Sequence, residues 1–244
     1  MDQIEFKKLL LAVAEKNNCT EYFEGENADI FSRLTEHMLK VNETFNLTGL
    51  IIPENIALLH YVDCIKVVNV FPKGAHIVDI GAGAGFPTLP LAICRPDLEI
   101  IAVDATAKRM RYVEDTAKML GLSNVKTLTA RAEDLGRRKE YREKFEYVTA
   151  RAVGHLPALS ELCLPLVKQG GHFVALKGKE AEAEITSAKN AINLLGARVV
   201  DTIETPLSFL DGEICERITV VIKKERATPM LYPRPYAKIH SHPL

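Results

Sequence analysis

The chain predicts an α/β protein with a doubly wound, seven-stranded, mostly parallel sheet and an N-terminal helical extension, on three observations. From residue 75 onward, short apolar runs of strand length alternate with helical stretches, which calls for parallel strands joined by right-handed crossovers. Three alternating glycines follow the first such run, in His76-Ile77-Val78-Asp79-Ile80-Gly81-Ala82-Gly83-Ala84-Gly85-Phe86-Pro87. An acidic residue, Asp104, ends the second run, Ile100-Ile101-Ala102-Val103, about twenty residues further on.

The elements read in order as follows. Residues 3–69 carry helical periodicity: Ile4, Leu11 and the Leu9/Val13 pair, then Ile30-Phe31, Leu34, Met38 and Val41 with Phe45 one turn on. Pro53 suits a first helical turn and opens a helix from Glu54 to Val70. Strands are expected at 76–80, 99–103, 125–129, 145–150, 171–177, 197–204 and 216–223. Helices are expected near 88–94, 106–120, 156–168 and 178–195, with a weak turn around 133–142. The last two strands are too close for a crossover, so they should form an antiparallel hairpin. Residues 1–70 thus read as a helical cap, 71–225 as the sheet domain and 226–244 as a basic C-terminal tail, all in one compact unit.

The glycine run reads as a strand entering a turn so tight that backbone, without Cβ atoms in the way, can meet a ligand. Asp104 is placed to accept hydrogen bonds from two ribose hydroxyls. A dinucleotide fold needs a further glycine at residue 86 to cradle the pyrophosphate, and residue 86 is Phe. Pro87 also delays the helix start. A ligand with no phosphate fits better, and the acidic-strand GxGxG pattern opening at Asp79 is the S-adenosylmethionine signature. Asp79, Gly81, Gly83, Gly85, Phe86 and Asp104 are therefore candidate cofactor residues on a class I methyltransferase sheet.

Composition narrows the partners. With 244 residues and 47% hydrophobic content the chain can bury a full core. No signal peptide is expected, because Met1-Asp2-Gln3 is not basic, and no apolar run approaches the roughly 20 residues of a membrane span. Cys19, Cys64, Cys94, Cys163 and Cys215 are odd in number and contain no CxxC pair, which argues against disulfides and zinc and for reduced thiols in the cytoplasm. The net charge of −1 excludes a uniformly basic nucleic-acid binder. From Arg217 onward, however, Arg217, Lys223, Lys224, Arg226, Arg234 and Lys238 face only Glu225 as an acid, a local excess able to meet phosphate.

In doubly wound sheets ligands bind beyond the carboxyl ends of the strands. Those ends carry Gly81 to Thr88, Asp104-Ala105-Thr106, Arg131-Ala132-Glu133, Arg151-Ala152 and Lys177-Gly178. Along these segments the chain resembles the 16S rRNA (guanine-N7) methyltransferase family, also named glucose-inhibited division protein B. The matching residues include Asn46-Leu47-Thr48, His60 with Asp63, the Asp79–Pro87 run, Pro90-Leu91-Ala92-Ile93, Lys108-Arg109, Arg131-Ala132-Glu133, Arg151-Ala152, Ala175-Leu176-Lys177-Gly178 and Tyr232-Pro233-Arg234. They span most of the chain in the same order. The resemblance implies cofactor contacts at Gly81, Phe86, Ala132, Glu133 and Arg151, with Asp104 near the ribose, and an rRNA-facing role for Arg131 and Arg234. It implies S-adenosylmethionine as cofactor and 16S rRNA or a small-subunit particle as partner, with no membrane and no metal; a monomer is expected. Two departures stand out: Thr88 replaces a glycine, and residues 236–244 replace a more basic, glycine-containing ending.

The chemistry asked of these residues is modest. Guanine N7 carries a free lone pair, so methyl transfer needs positioning rather than a general base. Arg131, Arg151 and Arg234 are the candidate positioning residues, since a guanidinium fork can grip guanine or phosphate with two donors; ordinary salt bridges are the plain alternative for each. Asp79 is compatible with orienting the cofactor amino group or with capping backbone amides. Glu133 suits the adenine region or a helix start, and Phe86 a methionine wall or the core. His60 reads first as a satisfied helical histidine. The competing functions are a non-catalytic RNA-binding factor on a methyltransferase fold, a small-molecule or protein methyltransferase, and an NAD-dependent oxidoreductase.

Overall fold

The computed structural model describes residues 2–244. Asp2 opens α1 (Gln3–Lys16) by accepting the Ile4 amide on its side chain, which gives a partner to one of the amides a helix start leaves bare. After a short 3-10 turn comes α2 (Glu26–Asn42). The single helix expected over 54–70 is instead α3 (Pro53–Asn55), a π-helical stretch over Ile56–Val62, α4 (Asp63–Ile65) and a separate 3-10 turn at Val68–Val70. The widened turn carries His60, and the Leu59 carbonyl within it accepts a hydrogen bond from Arg151.

The helical layer closes on Phe6, Leu10, Phe23, Phe31, Leu34, Met38 and Tyr61, all buried. The Phe31 and Tyr61 rings sit 4.8 Å apart, and the Tyr61 hydroxyl lies 2.6 Å from Thr35 Oγ1. The same apolar cluster continues through Ile77, Leu89, Ile100 and Val113, so the N-terminal helices share one core with a face of the sheet.

The sheet alternates as expected: β1 (His76–Ile80), α5 (Thr88–Cys94), β2 (Glu99–Asp104), α6 (Ala107–Leu120), β3 (Val125–Thr129), α7 (Ala132–Leu135), β4 (Phe145–Arg151), α8 (Leu156–Cys163), β5 (Val167–Gly178), α9 (Ala181–Leu194) and β6 (Ala197–Glu204). A two-residue ribbon follows, β7 (Leu207–Ser208) with β8 (Ile214–Cys215), then β9 (Arg217–Lys224) and α10 (Tyr236–Ser241). Strand order in the seven-stranded sheet is β3-β2-β1-β4-β5-β9-β6. All neighbours are parallel except β9, which runs antiparallel between β5 and β6, so the expected final hairpin is present.

Two boundaries moved. The helix expected over 156–168 stops at Cys163, because Pro165 cannot sit inside a helix without displacing the preceding turn, and β5 starts at Val167 rather than 171. The β7–β8 ribbon is too short to leave an alternating pattern in the sequence.

The C-terminal segment, read from the sequence as a basic tail with a local excess able to meet phosphate, packs on the domain and turns part of that charge inward. Lys224 is fully buried and donates to the Leu164 carbonyl at 2.7 Å and to Thr228 Oγ1 at 2.5 Å. Arg142 donates to the carbonyls of Thr228 and Tyr232, both at 2.7 Å, and Arg137 Nε to that of Pro233 at 2.9 Å. Tyr232 and Ile239 are buried in the apolar cluster on the second face of the sheet, beside Leu159 and Leu162 of α8. The segment is a strap, bound to the domain by arginines that donate to its carbonyls. Among the described residues no helix is long and apolar enough to cross a membrane, and no cluster of metal-ligating side chains occurs.

Candidate cofactor and acceptor clefts

At the carboxyl end of β1 the chain turns through Gly81, Gly83 and Gly85, whose φ values of +73°, +57° and +90° suit glycine. The amides of Gly81 and Ala82 both donate to the Val103 carbonyl, at 2.8 and 3.0 Å. The Gly83 amide donates to Asp104 Oδ2 at 3.1 Å, and that of Thr106 to Oδ1 at 2.8 Å. Asp104 thereby ties the glycine turn to the turn after β2, while each carboxylate oxygen retains capacity for a second donor. It lines a cleft of about 260 Å³ together with Gly81, Ala132, Glu133, Arg131 and Tyr236.

The three glycines differ in what they serve. A Cβ at Gly83 would meet nothing nearer than the Gly81 oxygen at 3.8 Å, so Gly83 borders open space. A Cβ at Gly85 would fall 2.6 Å from Leu89 Cδ1, so Gly85 lets α5 pack against the turn. Gly85 is buried and, like Gly83, does not line the cleft itself; its place in the turn is to admit Leu89. A Cβ at Gly81 would fall 2.5 Å from a methyl of Val153, in the loop after β4.

Asp79 is fully buried in β1. Thr88 Oγ1 donates to its Oδ2 at 2.7 Å, while Oδ1 has no partner among the described residues. Burial pushes the carboxyl up to about 6, with the Thr88 hydrogen bond and then the Arg151 charge working in the opposite direction. Thr88, the departure noted at the start of α5, thus gives Asp79 its one side-chain partner. An unpartnered buried oxygen costs about 1–3 kcal/mol, and a ligand bearing an ammonium group would satisfy it. A bare Asp79 oxygen, a glycine turn bordering open space and an acceptor carboxylate at Asp104 together fit the amino acid and ribose portions of S-adenosylmethionine. The first-turn amides of Ala132 and Glu133 in α7 have no helical partners and belong to the same cleft.

A second cleft, of about 510 Å³, opens on the other side of the loop after β4. Arg151 donates through NH1 to the Leu59 carbonyl at 2.7 Å and to Asp63 Oδ2 at 3.0 Å. Asp63 Oδ1 accepts from Arg217 Nε at 3.1 Å, so one carboxylate holds two arginines. Arg151 NH2 lies 3.2 Å from His60 Nδ1, and His60 Nε2 lies 2.8 Å from Thr48 Oγ1. A guanidinium only donates, so Nδ1 accepts and Nε2 carries the proton that bonds to Thr48. Burial, followed by the adjacent Arg151 charge, lowers the His60 pKa to about 3, which keeps the ring neutral. The ring stacks on Phe86 at 4.2 Å and within 2° of parallel. Lys177 closes the cleft, paired with Glu184 at 2.6 Å and donating to the Gly154 carbonyl at 2.8 Å.

The expected site residues therefore divide between two clefts. Asp104, Gly81, Arg131, Ala132 and Glu133 line the first, with Gly83 and Asp79 on its glycine turn and strand. Arg151 lines the second, not the first, and the Phe86 ring is buried against His60 and the helical layer rather than facing the Asp104 cleft. Arg234 lies in neither cleft. Its guanidinium donates to both oxygens of the fully buried Glu161 and its side chain is only 12% exposed, so its charge is directed inward. Among the described residues Glu161, on the buried face of α8, has no other ion-pair partner. Asp63 entered the sequence reading beside His60, and Arg217 as part of the C-terminal basic excess; that one carboxylate holds Arg151 and Arg217 together is visible only in the fold. Tyr236 lies in the divergent ending and left no signal at all.

The family described as GidB, rRNA small subunit methyltransferase G, matches residues 27–206. The chain is 46% identical over 215 residues to a ribosomal RNA small subunit methyltransferase G of Brevibacillus brevis, covering 86% of this chain and 87% of that protein. It is 44% identical over 232 residues to the protein of that name in Lactobacillus helveticus, covering 93% and 94%. Among solved structures, TYW2 of M. jannaschii in complex with AdoMet superposes with a TM-score of 0.53 at 16% identity, covering 67% of this chain and 75% of that one. The cyclase SpnF superposes at 0.52 and 16% identity, covering 68% and 80%. These two likenesses are of fold alone. The extent of the family match and the identity shared along nearly the full length of the relatives agree with the glycine turn, Asp104 and Asp79: the chain belongs to the rRNA small subunit methyltransferase G family.

Proposed function

We propose that the chain transfers a methyl group from S-adenosylmethionine to N7 of a guanine in the 16S rRNA of the small ribosomal subunit, as a cytoplasmic monomer. The observation that carries this reading is the Asp79–Thr88–Asp104 arrangement around the glycine turn, in a chain of this family. When bound, S-adenosylmethionine supplies a methyl group on a positively charged sulfur. Asp104 would accept from the ribose hydroxyls, and the bare oxygen of Asp79 from the amino group. Arg131, Ala132 and Glu133 edge the adenine end.

The second cleft is the natural entry for the guanine, since it adjoins the first across the Arg151–Gly154 loop and is edged by Arg151, Lys177 and Arg217. Arginine and lysine donors match guanine O6 and phosphate oxygens. Transfer to N7 would use a lone pair that is already free, so these residues would have to position the base and would not have to take up a proton. Neutral His60, with its pKa near 3, accordingly serves to orient Arg151 rather than to take up a proton.

The test is direct. Small-subunit rRNA from cells with and without the gene is digested to nucleosides, and one 7-methylguanosine should be absent without it and restored by purified protein with S-adenosylmethionine. Unchanged 7-methylguanosine would refute the reading and favour a non-catalytic RNA-binding role. Sedimentation equilibrium should return a mass near 27.1 kDa.

A further inference from the structure

Arg131 and Tyr236 meet at the mouth of the Asp104 cleft by different routes. Arg131 follows β3 directly, whereas Tyr236 arrives on the C-terminal strap, 105 positions later in the chain. The Arg131 guanidinium carbon lies 5.5 Å from the Tyr236 ring centroid, so a cation sits beside the ring, while Tyr236 as a residue stays 45% exposed.

That exposure contrasts with the rest of the segment. Tyr232 and Ile239, on either side of Tyr236, are buried at 8% and 1%. Between them Arg234 is clamped on Glu161, and Pro233 packs on Gly136, where a Cβ would fall 2.9 Å from Pro233 Cγ. Arg142 bonds both to the Gly136 carbonyl at 2.8 Å and to that of Tyr232 at 2.7 Å, joining the strap to the turn that follows Ala132 and Glu133. The backbone on both flanks of Tyr236 is therefore anchored, and the ring is held at the cleft instead of following its neighbours into the core. A half-bare ring held beside a carboxylate suited to a ribose diol offers a platform for a flat base, because stacking removes apolar area from both partners and is indifferent to base edges.

On the footing of the methyl-donor reading above, we propose that Tyr236, backed by Arg131, is the stacking wall for the adenine ring of the cofactor, which makes the C-terminal strap part of the cofactor site.

The test uses the full chain and calorimetry with two probes, S-adenosylhomocysteine and 5′-deoxy-5′-methylthioadenosine, which keeps the nucleoside but lacks the amino acid. Tyr236→Ala should weaken both by about 10-fold, within the range of one lost base–aromatic stack, while Tyr236→Phe stays within about twofold of wild type. The half-exposed position lets the variants fold, which unchanged thermal midpoints should verify. If the wild type binds neither probe, the methyl-donor reading itself falls. If the wild type binds and Tyr236→Ala binds equally well, only the stacking wall is overturned. A loss confined to S-adenosylhomocysteine, an equal loss in Tyr236→Phe, or a loss of rRNA affinity alone would also overturn it.

Discussion

Arg234 grips Glu161 with two nitrogens: NH2 stands 2.6 Å from Oε2 and Nε 2.9 Å from Oε1, while the Arg234 amide adds a third bond to Oε1 at 2.7 Å. An arginine that reads from the sequence as an RNA contact is thus the clasp of the C-terminal strap. Removing one partner of such a pair leaves the other charge buried and uncompensated. Arg234→Ala should cost about 3–5 kcal/mol in urea unfolding, with Glu161→Ala in the same range. A loss below about 1 kcal/mol, combined with a fall of roughly 0.7–0.9 in the salt slope of rRNA binding, would return Arg234 to the phosphate-contact role.

The glycine turn predicts a division of labour. Gly85→Ala forces a Cβ to within 2.6 Å of Leu89 and should lower stability by about 1–3 kcal/mol. A Cβ at residue 83 meets nothing nearer than 3.8 Å, but Gly83→Val places a branched side chain at φ +57° and in the open space the cofactor is proposed to use. It should abolish S-adenosylhomocysteine binding even where the folded state persists, as calorimetry beside a thermal melt would show. Normal binding by Gly83→Val would refute the assignment of that space to the cofactor.

Asp79 links cofactor affinity to pH. With its pKa raised to about 6, part of the population is protonated below that pH and cannot receive an ammonium group as an anion can. S-adenosylhomocysteine affinity should therefore rise with pH up to about 6 and then level, by at most tenfold per unit in the acidic limb. Asp79→Asn should be flat over this limb. Thr88→Val, which removes the hydrogen bond that holds the Asp79 pKa down, should move the bend to higher pH. A wild-type profile level from pH 5 to 8 would contradict the role of Asp79.

His60 and Asp79 pull stability in opposite directions on acidification. The His60 pKa is depressed from 6.5 to about 3, so the unfolded chain binds the extra proton and the contribution of neutral His60, complete above pH 6.5, is lost as pH falls toward 3. The Asp79 pKa is raised from 3.8 to about 6, so the folded chain binds the extra proton in that interval and its contribution, complete below 3.8, is lost as pH rises through 6. Between about pH 4 and 6 the two slopes oppose each other, and Asp79→Asn should uncover the His60 slope of up to about 1.4 kcal/mol per pH unit in urea midpoints. His60 stays neutral and only the tail of the Asp79 titration extends above pH 6.5, so with both substrates saturating single-turnover methylation should be nearly level between pH 6.5 and 8.5. A rate rising tenfold per pH unit, abolished in a His60 variant, would establish a base where none is expected.

The sequence alone determined what short windows can encode. Alternating apolar runs set the strands, Pro53 opened a helix, three glycines marked a tight turn after β1 with Asp104 ending β2 beside it, and the short link before the last strand announced an antiparallel hairpin. Each of these depends on backbone preference or on periodicity over a few residues. Tertiary structure alone decided which side chains meet. Glu161 and Arg234 lie 73 positions apart, and Arg151 reaches back 91 to His60; such pairings depend on the faces that α8, β4 and the π-helical stretch turn toward one another. Phe86, open in the sequence between a methionine wall and the core, packs its ring on His60 and Tyr61, and Gly85 serves α5 because Leu89 lies where its Cβ would be. A basic residue also reads the same in sequence whether it faces water or a buried acid: Lys224 and Arg234 became internal anchors because burying a cation is tolerable only where acceptors surround it, and only the folded chain brings Leu164, Thr228 and Glu161 to them.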